Sequence, residues 1–402
     1  MRTNLSSQIS LNRVSTRYYK PENTIERSVL TRFEKIPTNI YETVDEGVSC
    51  IADEIIRKVQ ERQRDGKFCT IAAGTGASLR PLFAELVRRH KEEGVSFRNV
   101  VVFNLYEYYP LTEPNNSSFN QLNELFLKQV DIDPQNVFTL NGTIPQEGVI
   151  DHCHLYEQRI KTYGGIDIAV MGIGREGNIG MNEPGSAATS QTRLILIDAT
   201  SRSEAAHNLG VDNLPPCSIT MGIGSIMEAR KVFLLAWGEE KADIIKKAVE
   251  DKISDSLPAS YLQMHQNATV CVDLPTAAHL TRIQRPWLVT SCEWNDKLIR
   301  SAIVWLCLLT KKPILKLTNK DYNENGLSEL LALYGSAYNV NIICRTIQHT
   351  ITGWPGGKPN ADDTYRPERA KPFPKRVVVF SPHPDDDVIS MGGTLRRLVQ
   401  QG

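Results

Sequence analysis

From about residue 40 to 290 the chain alternates short apolar runs with longer amphipathic ones, a pattern that few folds can satisfy. Runs at 68–73, 100–105, 166–171, 194–198 and 232–237 read as strands, and stretches at 81–92, 121–130, 150–163 and 239–250 read as helices. Strands separated by helices predict βα units, hence an α/β fold with a mostly parallel sheet and helices on both faces. Open sheets of this kind bind ligands beyond the carboxyl ends of their strands. Functional residues are therefore expected in the turns that follow these runs.

Three such turns carry chemistry. After 68–73 comes Ala73-Gly-Thr-Gly-Ala-Ser78, leading into a helix. Small residues there let backbone N–H groups surround an anion, with the hydroxyls of Thr75 and Ser78 as added donors; a plain tight turn is the alternative. After 100–105 come Tyr106, Glu107 and Tyr108, before a proline, where packing is as natural a role as catalysis. After 166–171 the glycine-rich stretch 172–186 carries Glu176, Asn178, Asn182 and Glu183. Its two carboxylates, at i and i+7, are expected to converge on one ligand. Lys241, at the start of a helix, offers a cation, and Arg193 and Arg202 flank the 194–198 run; each alone also suits a solvated surface. His152 and His154 point apart on a helix and do not form a metal pair.

Composition narrows the partners. Lys and Arg total 46 against 46 Asp and Glu, so no overall charge calls for nucleic acid or an anionic membrane. The eight cysteines have no CxxC spacing, which suits reduced thiols in a cytoplasmic protein. The first residues lack an apolar signal core, and the apolar stretch 301–310 falls short of the ~20 residues of a membrane span. The expectation is a soluble chain that is not exported.

Residues 291–350 read as a helical extension, with helices near 295–309 and 327–334. A linker rich in Pro, Gly and charge occupies 351–375, and a strand, turn and helix start follow in 376–402. One strand and one helix cannot bury a core, so this last piece is expected to be the start of an incomplete second α/β unit.

The motifs resemble, in order and spacing, those of the glucosamine-6-phosphate deaminase (isomerase) family: Gly74-Thr-Gly-Ala-Ser78, Phe103-Asn-Leu-Tyr-Glu-Tyr108, Gly174-Arg-Glu-Gly-Asn-Ile-Gly-Met-Asn-Glu-Pro184, Thr192-Arg193, Met221-Gly-Ile-Gly224 and Gly238-Glu-Glu-Lys241. The resemblance covers about 250 residues in a 1–290 domain and implies a modified Rossmann-like fold shared with 6-phosphogluconolactonases. It also implies conversion of glucosamine 6-phosphate to fructose 6-phosphate and ammonia without a cofactor, a small-molecule sugar-phosphate ligand and a homo-oligomer. Glu176 and Glu183 match the carboxylates that tune the ring-opening histidine. Gly74, Thr75, Gly76, Ser78 and Lys241 match the substrate phosphate site, and Ser186 and Arg193 match positions that bind an allosteric anion in some members.

The departures fall on the proton carriers. Tyr106 stands where the family has its aspartate base, and Asn178 where it has its histidine; the phosphate-holding arginine falls at or near His207. A phenol with pKa ~10 keeps its proton at neutral pH and an amide does not titrate. Glu107 is the candidate substitute base, and Glu183 could open the ring unaided. Three readings stay open: an amino-sugar-phosphate deaminase, a non-catalytic sugar-phosphate-binding or regulatory module, and a hydrolase resembling the lactonases. The segment Ser381-Pro-His-Pro-Asp-Asp-Asp387 separately resembles the signature of LmbE/PIG-L type zinc N-deacetylases. That resemblance implies His383 and Asp386 as zinc ligands and Asp385 as base, with zinc bound only by a complete domain.

Overall fold

The computed structural model describes residues 14–341, together with Gly392 and Leu395. The chain divides into two compact units between Thr290 and Ser291. In the first unit the described strands are β1 (Thr38–Tyr41), β2 (Cys69–Ala73), β3 (Val100–Asn104), β4 (Tyr106–Tyr109), β5 (Val137–Phe138), β6 (Ile168–Gly172), β7 (Arg193–Leu196), β8 (Cys217–Thr220), β9 (Lys231–Ala236) and β10 (Ala268–Asp273).

Seven of them form one parallel sheet in the order β1-β10-β9-β6-β2-β3-β5. Ile71 of β2 sits in register with Val102 of β3 on one side and Ile168 of β6 on the other. From β2 the chain proceeds to β3 and β5 in one direction, whereas from β6 it proceeds to β9 and β10 in the other. The connections after β2 and β6 thus leave on opposite sides, which opens a crevice between their carboxyl ends.

Strand periodicity sorts the core into two layers. Val101 and Phe103 of β3, Ala169 and Met171 of β6, and Val232, Leu234 and Ala236 of β9 join the cluster on one face of the sheet. Their neighbours Val100, Val102, Ile168, Val170, Phe233 and Leu235 join the cluster on the other. Helices Val149–Thr162 and Ala242–Glu250 cover the first face with residues such as Tyr156, Ile160, Ile245 and Val249. Helices Val44–Arg64 and Arg80–Glu93 cover the second. The 21-residue helix Val44–Arg64, unassigned from the sequence, buries Val48, Ile51, Ala52, Ile55, Ile56 and Val59 at helical spacing behind a Thr43 cap that accepts from Glu46 N.

The structure corrects the 194–198 strand. β7 belongs to a separate three-stranded antiparallel sheet, β4-β8-β7, and its residues are only partly buried. A strand of the parallel sheet is covered on both faces, whereas β7 leaves one side near solvent. The aromatic segment after β3 also departs from expectation, since Tyr106–Tyr109 leaves the main sheet to pair with β8. The helix expected at 121–130 begins earlier, at Ser118, where Ser117 caps it by accepting from Asn120 N, and ends at Leu125 before a single 3-10 turn.

In the second unit, helix Asp296–Thr310 is capped by Asn295 and buries Ile299, Ala302, Ile303 and Leu306. Helix Asn319–Glu324 starts with a capping box between Thr318 and Asp321, and Ser328–Tyr334 follows. The 351–375 linker and the 381–387 motif with His383, Asp385 and Asp386 lie outside the described residues, apart from isolated positions beyond them. No described helix is long and apolar enough to cross a membrane.

Candidate functional site

A cavity of about 940 Å³ opens at the carboxyl ends of β2, β3, β6 and β9, on the crevice between β2 and β6. Its walls come from Gly74–Ser78 after β2, Leu105 and Tyr106 after β3, Gly172–Arg175 with Asn178 after β6, and Trp237, Glu240 and Lys241 after β9. The helix Ala199–Leu209 closes another side with Thr200, Ser201, Ser203, Glu204, His207 and Asn208.

The wall after β2 is made mostly of backbone. Gly74 N donates to Val170 O, tying the loop to β6, and a 3-10 turn at Ala77–Leu79 feeds helix Arg80–Glu93. The amides at the start of such a turn and helix favour anions. Ser78 lines the cavity, and its carbonyl accepts Trp237 Nε1 at 2.8 Å, which fixes the indole against the cavity. Thr75 is 4% exposed, and its hydroxyl lies 3.1 Å from Tyr106 Oη and 2.8 Å from Ser118 Oγ. That hydroxyl is engaged in a protein chain of hydrogen bonds, and Thr75 still lines the cavity.

The same chain defines Tyr106. Asn104 Nδ2 donates to the Tyr106 carbonyl while its Oδ1 accepts Leu140 N, so the backbone after β3 is clamped. Burial pushes the Tyr106 phenol above its ordinary value, against the weaker opposing effect of Thr75 and Ser118. It is a neutral hydroxyl at physiological pH.

Glu107, 1% exposed, points elsewhere. Oε1 accepts Tyr108 N at 2.9 Å and Ser118 N at 2.8 Å, and Oε2 accepts Ser117 Oγ at 2.7 Å and Phe119 N at 3.0 Å. Burial raises its pKa, but three donors at a helix N-terminus and the amide of Tyr108 hold its oxygens in place. The carboxylate closes a structural turn and does not line the main cavity, which removes Glu107 as a substitute base.

The turn after β6 depends on close packing. Gly174 N donates to Asn178 O at 3.0 Å, and a Cβ on Gly174 would meet Asn178 Oδ1 at 1.9 Å, so a side chain there would force the Asn178 amide to move. Gly177 adopts φ +76°. Asn178 lines the cavity at 7% exposure, and its Oδ1 is buried without a hydrogen-bond partner. Asn182 is fully buried, donates to Ile179 O and Met221 O, and accepts Arg193 Nη1 at 2.8 Å. Arg193 Nη2 donates to Ser186 Oγ at 2.9 Å.

The expected convergence of two carboxylates on one ligand is not what the geometry shows. Glu176 is exposed and does not line the cavity. Glu183 lies behind Ser201, whose hydroxyl donates to its Oε2 at 3.1 Å, while its Oε1 is buried without a partner. Burial raises the Glu183 pKa, the Ser201 bond opposes this, and the nearby Asp198 and Glu176 charges add to the rise.

The cavity also holds a residue that the sequence reading missed. Glu204 Oε1 lies 2.6 Å from Lys241 Nζ, and its Oε2 accepts Arg175 N at 3.1 Å. The signal was present as a polar stripe, Thr200, Ser203, Glu204, His207 and Asn208, at helical spacing behind the Asp198 cap. Among described residues no cluster of His, Cys, Asp and Glu could hold a metal ion, and His152 instead accepts Asn141 N through Nε2.

Fold and cavity together define an open α/β protein with a strand-end site of small-molecule size. The family model of glucosamine-6-phosphate isomerases/6-phosphogluconolactonase matches residues 42–271, and the chain belongs to that family. It is 68% identical over its whole length to a putative glucosamine-6-phosphate deaminase-like protein of Bacteroides thetaiotaomicron, of which it spans 61%. It is 39% identical over 205 residues, half of this chain and 81% of the relative, to a glucosamine-6-phosphate deaminase of Oceanobacillus iheyensis. A solved monomeric glucosamine-6-phosphate deaminase superposes with a TM-score of 0.57 at 30% identity, covering 61% of this chain and all of that one. A 6-phosphogluconolactonase from Trypanosoma brucei shares the fold at TM-score 0.50 and 18% identity.

Proposed function

We propose that the cavity binds an amino-sugar phosphate and does not deaminate it. The observation that carries this reading is the pair Tyr106 and Asn178. Both line the cavity at positions that, by family resemblance, carry the aspartate base and the ring-opening histidine; a phenol raised by burial is not a base near neutral pH, and an amide does not titrate. Glu107, the substitute in reach by sequence, is committed to four structural hydrogen bonds.

What supports binding is the strand-end crevice, the glycine loop with Ser78, and the indole of Trp237, an apolar platform suited to a sugar face. The reading concerns this chain, which spans about three fifths of its 68% identical relative. The 381–387 motif adds nothing to it, because those residues lie outside the described ones.

Thermal-shift titration paired with an ammonia assay tests it. Stabilisation by glucosamine 6-phosphate or fructose 6-phosphate without ammonia release is expected. Release of ammonia together with fructose 6-phosphate would restore the deaminase reading, and absence of stabilisation by either sugar would refute binding.

A further inference from the structure

Lys241, one of two cations of the described lining, already has an anion. Lys241 Nζ and Glu204 Oε1 are 2.6 Å apart, and the two side chains are only 12% and 18% exposed. Glu204 also accepts Arg175 N, so the carboxylate is held from the loop after β6 and from the turn after β9. Arg175 and Glu240 are the other formal charges of the described lining, which leaves two cations against two anions, with His207 beside them. A phosphate dianion is ordinarily met by an excess of positive charge and donors. Here an arriving phosphate must displace the Glu204 carboxylate from Lys241 or settle beside it as a like charge, in a place where water screens little.

We infer that Glu204 is the specificity-determining residue of this cavity, an internal counter-anion that competes with the ligand's phosphate for Lys241. It narrows the preference for a phosphorylated amino sugar over the same sugar without phosphate. The inference rests on the reading that the cavity binds an amino sugar, and it adds which end of the ligand is discriminated and by what. Glutamine at 204 keeps an oxygen for Arg175 N and the helical propensity, while it removes the charge and the acceptor that faces Lys241.

Calorimetric titration of the purified chain with glucosamine 6-phosphate and with glucosamine gives an affinity ratio. Glu204→Gln is expected to raise that ratio by about tenfold or more at low salt, through the phosphorylated sugar alone. Adding Lys241→Met to Glu204→Gln should abolish the gain, which a merely structural role for Glu204 would not produce. Glu204→Asp, with its shorter reach, should move the ratio the same way by a smaller factor and serves if the glutamine variant does not fold. An unchanged ratio in a folded Glu204→Gln variant, with wild-type binding intact, overturns the inference and leaves the binding reading standing. No binding of either sugar to any of these proteins overturns both.

Discussion

The two loops that face each other across the crevice, 74–78 after β2 and 172–186 after β6, are both rich in glycine and both close a parallel strand, yet they have different tolerances. The first presents mainly backbone: a turn, a helix start and Ser78. The second lines the cavity with Gly172–Arg175, Gly180 and Met181 and also places Asn178 there, where the family has a titratable side chain by resemblance. Backbone amides persist through substitution, so an anion-favouring wall survives sequence change, whereas proton transfer depends on one titratable atom and vanishes with it. The proposed reading, binding without deamination, follows from that asymmetry.

The largest effect should come from restoring the two family proton carriers, one after β3 and one in the second loop. Tyr106→Asp together with Asn178→His is expected to raise ammonia release from glucosamine 6-phosphate by about 10²–10⁴-fold over the parent, the usual contribution of positioned acids and bases. Persistent background release by a folded double variant that still binds sugar would show that the difference between the loops lies elsewhere. Removing the charge of Glu107 should damage the fold rather than the site. Glu107→Gln turns an amide N–H toward Ser117 and Phe119, or toward Tyr108 and Ser118, and should cost about 2–3 kcal/mol in denaturant unfolding. A ligand-dependent rate change with unaltered stability would return Glu107 to the site.

Ser78→Ala should be gentler, weakening sugar-phosphate binding by about 1 kcal/mol, because the neighbouring amides remain. Loss of all binding would mean that the first loop also depends on side chains. The smallest effect concerns pH. An acid whose folded-state pKa is raised adds stability that is full below its unfolded pKa, near ~10 for tyrosine, and is lost as pH climbs beyond it. Sugar affinity should therefore show no Tyr106 titration between about pH 7 and 9; comparison of wild type with Tyr106→Phe over that range checks this.

Much of this was legible in the residues. β2, β3, β6 and β9 are buried on both faces and read as unbroken apolar runs, and their following turns announced the crevice. The 194–198 run falls in a different sheet from the one expected because so short a run does not reveal its partner. Helix Val44–Arg64 had a capping residue and a regular apolar stripe that went unassigned. The engagement of Thr75 and Glu107 was not legible at all, since it depends on Ser117 and Ser118, which only the fold brings near. Glu204 was hidden for the same reason: its partner Lys241 lies 37 residues away in sequence.

The most direct measurement is a single titration of the purified chain with glucosamine 6-phosphate, followed by calorimetry and by an ammonia assay on the same sample. Saturable binding heat with ammonia at the background of a protein-free control is the predicted result. Ammonia appearing in step with fructose 6-phosphate, at many turnovers per chain, would contradict it.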